Sequence, residues 1–214
     1  MYSREHSLRE EDVMLTYSIF QTPIFLEALE GLTDSDGLYE YIDECCNEAT
    51  DKDWYFTASK YEFIQSRRTL HKEKKLENFC ESIYKAIDVV CGEYQYSKYT
   101  AEITEMWGNR QKPGQHFKTH NHFNNIFSGV FYLNEHEKFP CIKFFRPLEN
   151  TFDLFKDEYN HFNQGAFSVP TKKDGLVLWP SWLTHSVDTN EADIDRLGIS
   201  FNVMLRGKYY NTTL

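Results

Sequence analysis

Six of the eight histidines, His116, His120, His122, His136, His161 and His185, fall in the second half of the chain, and two of them stand as His120-Asn121-His122. On a strand, residues i and i+2 project to one face, so these two imidazoles can meet one metal ion. In a chain with eight histidines a single such pair is unsurprising, and histidines on strand surfaces are common, so the pair by itself is a weak signal. The stretch Asp174 to His185 adds to it. Gly175 to Trp179 has the character of a buried strand that runs into Pro180, turns, and presents His185 as a third ligand from a distant strand. The plainer alternative is a core strand followed by an ordinary loop histidine. Arg196 begins the next apolar run, in which Arg196, Gly198 and Ser200 alternate with Leu197, Ile199 and Phe201. That alternation points a guanidinium inward, beside Ser200, on a strand otherwise built for a core. An inward arginine needs an anion.

The elements that must position these residues come in two textures. Thr16 to Phe20 suggests a short strand, stopped by a corner at Thr22-Pro23. Thr33-Asp34-Ser35-Asp36 then offers N-cap oxygens to a helix whose apolar residues Leu38, Tyr41, Ile42 and Cys45 recur to about Asn47. Residues 48–70 are polar and mixed, with at most a short strand near Tyr61 to Ile64. Leu76, Phe79, Cys80, Ile83, Tyr84, Ile87, Val90 and Cys91 form one face of a long amphipathic helix, about 72–93, ending at Gly92. From residue 98 the chain changes to short aromatic and β-branched runs at 99–107, 126–133, 141–146, 165–169, 175–179, 184–188 and 195–205. So many short strands without intervening helices predict a sandwich or jelly roll. The expected fold is α+β and mainly β, with the N-terminal helices packed on one sheet. It is expected as a single domain over 1–214, with 1–97 a helical elaboration and 98–214 the jelly-roll core.

Composition bounds the function. Of 214 residues, 41% are hydrophobic and 26% charged, enough apolar mass for a core and too little charge for a disordered chain. The formal charge of -10 disfavours non-specific attraction to nucleic acid or anionic lipid. Five cysteines, Cys45, Cys46, Cys80, Cys91 and Cys141, show no C-x-x-C spacing, and Met1 to Asp12 is charged, without the basic-then-apolar pattern of a signal. A reducing cytoplasm is the expectation. Met14 to Leu29, the most apolar early stretch, is interrupted well short of the ~20 apolar residues that a spanning helix needs, so no membrane span is expected.

Taken in order, two histidines, a histidine after a Gly-led apolar strand and an arginine on the next strand make a pattern. In that order the sequence resembles the iron(II)- and 2-oxoglutarate-dependent oxygenases, and more narrowly a family of small ones from bacteria and marine phages. Nearly the whole chain carries the resemblance: Ile19 to Ile24, Met106-Trp107-Gly108-Asn109, His120 to Leu133, Gly175 to His185 and Arg196 to Asn202. Its most specific part is the central H-x-H-x-N-N-x-x-S-G-V-F-Y-L. The resemblance implies a double-stranded β-helix that holds Fe(II), with 2-oxoglutarate chelating the metal and O2 as the third reactant. It implies oxidative decarboxylation to succinate and CO2, coupled to hydroxylation of an unactivated C–H bond.

Carried over residue by residue, the resemblance makes His120 and His185 metal ligands and makes Arg196 the cosubstrate anchor, with Ser200 as a donor. His122 takes the place where most such enzymes have an aspartate. The third ligand is therefore open between His122, a water and a residue from elsewhere such as Asp188. Asn124, on the inward face, is a candidate hydrogen-bond partner for a ligand or cosubstrate, as are Asn109 and Tyr132 for the cosubstrate. Trp107, Phe131, Phe144 and Trp179 are candidates for a dry wall, against the alternative of plain core. The loop Pro147 to Gly165, with Phe152, Phe155, Tyr159 and Phe162, has the length of a lid or substrate wall. No residue identifies the substrate, which is expected to be a small molecule or a peptide. Tyr209-Tyr210 is compatible with a homodimer contact. Two other readings remain: a cupin-like jelly roll that binds metal without oxygenase turnover, and an inert interaction module. Arg196 separates the oxygenase from the plain metal site, since only the former requires an inward arginine.

Overall fold

The computed structural model describes residues 21–49, 63–147, 155–160 and 162–207, so the expected strand Thr16–Phe20 and Phe152 lie outside the described residues. In chain order the elements are β1 (Phe25–Ala28), α1 (Leu38–Asn47), β2 (Ile64–Gln65), 3-10 turns at Leu70–Lys72 and Lys74–Leu76, and α2 (Glu77–Glu93). Then follow β3 (Tyr99–Gln111), β4 (Phe117–His120), β5 (Phe127–Tyr132), β6 (Ile142–Phe145), β7 (Ala166–Val169), β8 (Gly175–Pro180), β9 (His185–Val187) and β10 (Arg196–Gly207). They form a six-stranded sheet, β1-β8-β5-β10-β3-β2, and a four-stranded sheet, β4-β9-β6-β7. Every strand pair is antiparallel. This is the mainly β, jelly-roll architecture expected from the strand pattern.

Strand alternation divides the large sheet into two faces. Phe127, Phe131, Leu176, Leu178, Leu197, Ile199, Phe201 and Val203 share one buried cluster with Ile42 of α1 and with Phe79, Ile83 and Ile87 of α2. Val130, Tyr132, Val177 and Trp179 point the other way and pack with Phe117, Ile142, Phe144, Val169 and Val187 of the small sheet. The gap between the sheets is where the inward histidines and arginine sit. Gly108 lies where a Cβ would strike Ile42, and a Cβ on Gly129 would strike the Phe201 ring and Leu178, so both glycines are required by close approach.

Several local expectations need correction. The first helix begins after Gly37, a left-handed residue with no side-chain cap, although Thr33 to Asp36 were the expected caps. The second helix starts at Glu77, because Glu73 is extended and splits the preceding stretch into two 3-10 turns. It runs through Gly92 to Glu93, and the left-handed residue that stops it is Gln95. Among the described residues, two strands precede residue 98: β1 pairs with β8 and β2 with β3. β1 begins at Phe25, just past the Thr22-Pro23 corner, and Asp174 holds the turn beyond it by accepting the N–H groups of Gly31 and Thr33 at 3.1 and 2.8 Å.

Candidate active site

β4 and β9 pair so that His120 lies directly opposite His185, while Phe117 lies opposite Val187. Lys118 and Thr119 on β4 thus stand against the single Ser186 on β9, a bulge that re-aims the strand so that Phe117 and His120 both serve the inner side. Sequence alternation alone would have turned Thr119 inward instead. β4 ends at His120, so His122 is not an in-strand partner at i+2. It is placed by the following turn, where its backbone N–H donates to the Ser181 carbonyl at 2.9 Å. The three imidazoles nevertheless converge: one ligand atom from each of His120, His122 and His185 lies within 4.8 Å of the others. Ring centroids are 5.1 Å apart for His120 and His122, 4.3 Å for His120 and His185, and 5.3 Å for His122 and His185.

Two of the rings have their tautomer fixed. His120 Nδ1 meets the Lys118 carbonyl at 2.7 Å and His185 Nδ1 meets the Leu183 carbonyl at 3.0 Å. A carbonyl only accepts, so each Nδ1 carries the proton and each Nε2 presents a lone pair. Burial pushes His122 and His185 down to about 3, and the neighbouring imidazoles add to the effect. Desolvation within the cluster also lowers His120, against the opposing Lys118 bond, even though its outer edge is exposed. At neutral pH the site is therefore three neutral imidazoles, the state a metal ion requires. Asp188, the carboxylate alternative, is exposed and outside this cluster.

Aromatic rings wall the triad. Trp179 stands 4.9 Å and Phe144 5.9 Å from His185, and Trp107 stands 6.0 Å from His122. Phe131 does not join them, because strand parity turns it to the helix side, where it meets Phe79 edge-on at 5.4 Å. Arg68 covers Trp107 at 4.4 Å. The loop aromatics Phe155, Tyr159 and Phe162 are exposed.

Further along the same inner face, Arg196 is buried over the Tyr132 ring at 4.6 Å. Its Nε donates to Thr171 Oγ1 at 2.9 Å and one terminal nitrogen to Gln111 Oε1 at 3.3 Å. Both partners are neutral, and among the described residues no carboxylate pairs with this guanidinium. Burial pushes its pKa down, and burial pushes that of Tyr132 up. The Trp179 indole N–H is buried without a hydrogen-bond partner, and the buried Tyr132 hydroxyl has Arg196 and Thr171 beside it. Asn109 accepts from Trp107 at 2.9 Å and from Gln65 at 3.1 Å, and donates to Ser200 Oγ. The Ser200 hydroxyl proton is left to donate elsewhere. Asn124 does not reach this space: it is exposed, at φ 62°, in the turn after His122. A buried cation without its anion, lying over a tyrosine ring, and a buried indole N–H without an acceptor beside His185 are the marks of a ligand site.

Sequence reasoning missed Gln111 and Thr171, which hold Arg196, and Ser128, Ser181 and Asn202, which form a buried hydrogen-bonded row under the triad. Gln111 could have been found from parity, because it lies on the same face of one strand as Trp107 and Asn109. Nothing local marks Thr171.

Residues 105–202 match the family described as "Putative 2OG-Fe(II) oxygenase", a span containing the histidines, Arg196, Ser200 and Gln111. No curated protein matches the chain in sequence. Among solved structures, the non-heme alpha-ketoglutarate-dependent carbocyclase SnoK of nogalamycin biosynthesis superposes with a TM-score of 0.64 at 10% identity, over 89% of this chain and 84% of that one. A prolyl-4-hydroxylase of Pseudomonas putida gives 0.59 at 14% identity, over 87% and 94%. HygX of Streptomyces hygroscopicus, with nickel, 2-oxoglutarate and hygromycin B bound, gives 0.57 at 10% identity, over 86% and 83%. At these identities the structural likeness establishes the fold. Together with the family match it indicates a 2-oxoglutarate-dependent oxygenase, whose cofactors are Fe(II) and 2-oxoglutarate and whose metal-binding candidates are the three converging histidines.

Proposed function

We propose that the protein is a hydroxylating dioxygenase with His120, His122 and His185 as its metal ligands and Arg196 as the anchor of 2-oxoglutarate. The observation that carries this reading is the uncompensated guanidinium, held on the same inner face that ends at three neutral imidazoles. When bound, Fe(II) and 2-oxoglutarate supply O2 activation coupled to loss of CO2 and formation of succinate. The chain's own part is to hold and shield. His120 and His185 offer Nε2 because backbone carbonyls take their Nδ1 protons. His122 fills the place of an aspartate, so the ligand set carries no negative charge, and a dianionic cosubstrate gains attraction from the more positive site. Arg196 receives the distal carboxylate, Tyr132 and Ser200 donate to the same molecule, and Asn109 fixes Ser200. Trp107, Phe144 and Trp179 exclude water from the metal side. A cupin-like site that merely stores metal would have no use for Arg196.

The substrate is a small molecule or a peptide. The chain works as one domain, a jelly roll braced by its N-terminal helices, in a reducing cytoplasm, where five free cysteines stay reduced. No helix among the described residues is long and apolar enough to cross a membrane. The test is uncoupled turnover: Fe(II)-loaded protein given 2-oxoglutarate and O2 without substrate should release succinate slowly, and Arg196→Met should need far more 2-oxoglutarate. Succinate formation no faster than with free Fe(II) would reject the reading.

A further inference from the structure

We infer that Gln111 is a positioning residue that sets the depth of Arg196 and so selects the chain length of the dicarboxylate; this rests on the reading of Arg196 as the cosubstrate anchor. The polarity of the contact is fixed from behind. Gln111 Nε2 donates to two backbone carbonyls, Gln115 and Asp188, each at 2.8 Å. Carbonyls cannot donate, so the amide has one orientation, with Oε1 facing the guanidinium. Thr171 is constrained in the same manner. Its hydroxyl donates to the Pro140 carbonyl at 3.0 Å, which leaves a lone pair for the Arg196 Nε. Two acceptors that cannot reverse thus grip two of the five N–H groups of Arg196, the Tyr132 hydroxyl lies within its reach as well, and terminal N–H groups are left for a carboxylate.

Both grips are also neutral, which is chemically specific. A glutamate in place of Gln111 would cancel the charge that the ligand needs and would face two carbonyl oxygens with no proton to give. Gln111 is fully buried, and it ties Arg196 to the 112–115 turn and the 188–190 segment, two loops that meet through Asn190 N–H to Gln115 O at 2.9 Å and Gly114 N–H to Asn190 O at 2.9 Å. The guanidinium is therefore held at one place on β10, which sets its distance from the triad. A diacid that bridges metal and guanidinium must match that distance, which disfavours homologues shorter or longer by one methylene.

The test uses full-length Ni(II)-loaded protein and calorimetric titration with 2-oxoglutarate, oxaloacetate and 2-oxoadipate, so that no turnover is required. Wild type should select 2-oxoglutarate over both homologues. Gln111→Met, which keeps the length but neither accepts nor donates well, should bind 2-oxoglutarate about tenfold more weakly, with a narrowed preference over 2-oxoadipate and unchanged Ni(II) affinity. Thr171→Val should move selectivity in the same direction. Asn190→Ala is the control for loop loosening, since Asn190 donates to the Gln111 and Ile194 carbonyls and does not touch the guanidinium. It should leave the selectivity ratio unchanged. Equal affinity and selectivity in Gln111→Met and wild type, or an equal shift in Asn190→Ala, would overturn the inference while leaving the oxygenase reading intact. Failure of wild type to bind 2-oxoglutarate at all would instead overturn the reading on which it rests.

Discussion

His122 differs from its two companions in having no hydrogen bond on either ring nitrogen among the described residues; only its backbone N–H is held, by Ser181. His120 and His185 enter the site pre-oriented, whereas His122 must lose side-chain freedom when it binds. The three ligands should therefore contribute unequally. In titrations with Co(II), His185→Ala is expected to lose about 100-fold or more in affinity and His122→Ala about tenfold less than that; equal losses would show that the Nδ1 bonds do not order the ligands. At this scale the sequence was informative because histidines and a lone inward arginine declare themselves by type and parity. Asn124 misled, since nothing in its type separates an inward strand position from a left-handed turn. Gln111 and Thr171 stayed hidden because their roles depend on carbonyls of remote loops.

The elements hold these side chains by close approach and by a few polar anchors. Gly129, in the middle of β5, lies beneath the Phe201 ring, so Gly129→Ala should destabilise the fold by about 1–3 kcal/mol through overpacking. Urea unfolding with an unchanged m-value is the check, and a neutral result would mean that the Phe201 ring moves aside freely. Asp174 anchors the turn after β1. Partial burial works against its charge, but hydrogen bonds from Thr33 and Gly31, with Lys173 nearby, outweigh it and hold the carboxyl below the usual range. A depressed carboxyl stabilises the fold above the unfolded-state value and loses that contribution as pH falls through the folded-state value. Asp174→Ala should thus cost about 1–2 kcal/mol at pH 7, discounted for its partial exposure, and the gap from wild type should close as pH falls below the usual carboxylate range. A gap independent of pH would assign the loss to the backbone, since Asp174 also sits at φ 60°. Strand positions and the amphipathic faces of α1 and α2 were legible from periodicity. The bulge in β4, the split before α2 and the Gln95 stop were not, because each is a backbone solution imposed by tertiary pairing.

At the scale of the molecule, two apolar layers enclose the site, one between the sheets and one under the helices, and the second layer takes in four of the five cysteines. Burial pushes the Cys46 thiol up to about 12 and that of Cys80 to about 11, and raises Cys45 and Cys91 as well. Only Cys141 is partly exposed. Iodoacetamide at pH 8 should label Cys141 first and the other four at the rate of unfolding; prompt labelling of all five would contradict the second core. The jelly roll itself was legible because strand-length runs with turn residues between them admit few architectures. The central claim concerns what the space between the sheets holds, and its most direct test is an anaerobic titration of metal-free protein with Fe(II) and then 2-oxoglutarate, followed in the visible range. A metal-to-ligand charge-transfer band is expected in wild type, absent in His185→Ala, and formed by Arg196→Met only at about 100-fold higher 2-oxoglutarate. Folded protein that binds Fe(II) yet gives no band with 2-oxoglutarate would contradict the oxygenase assignment and leave a jelly roll that binds metal alone.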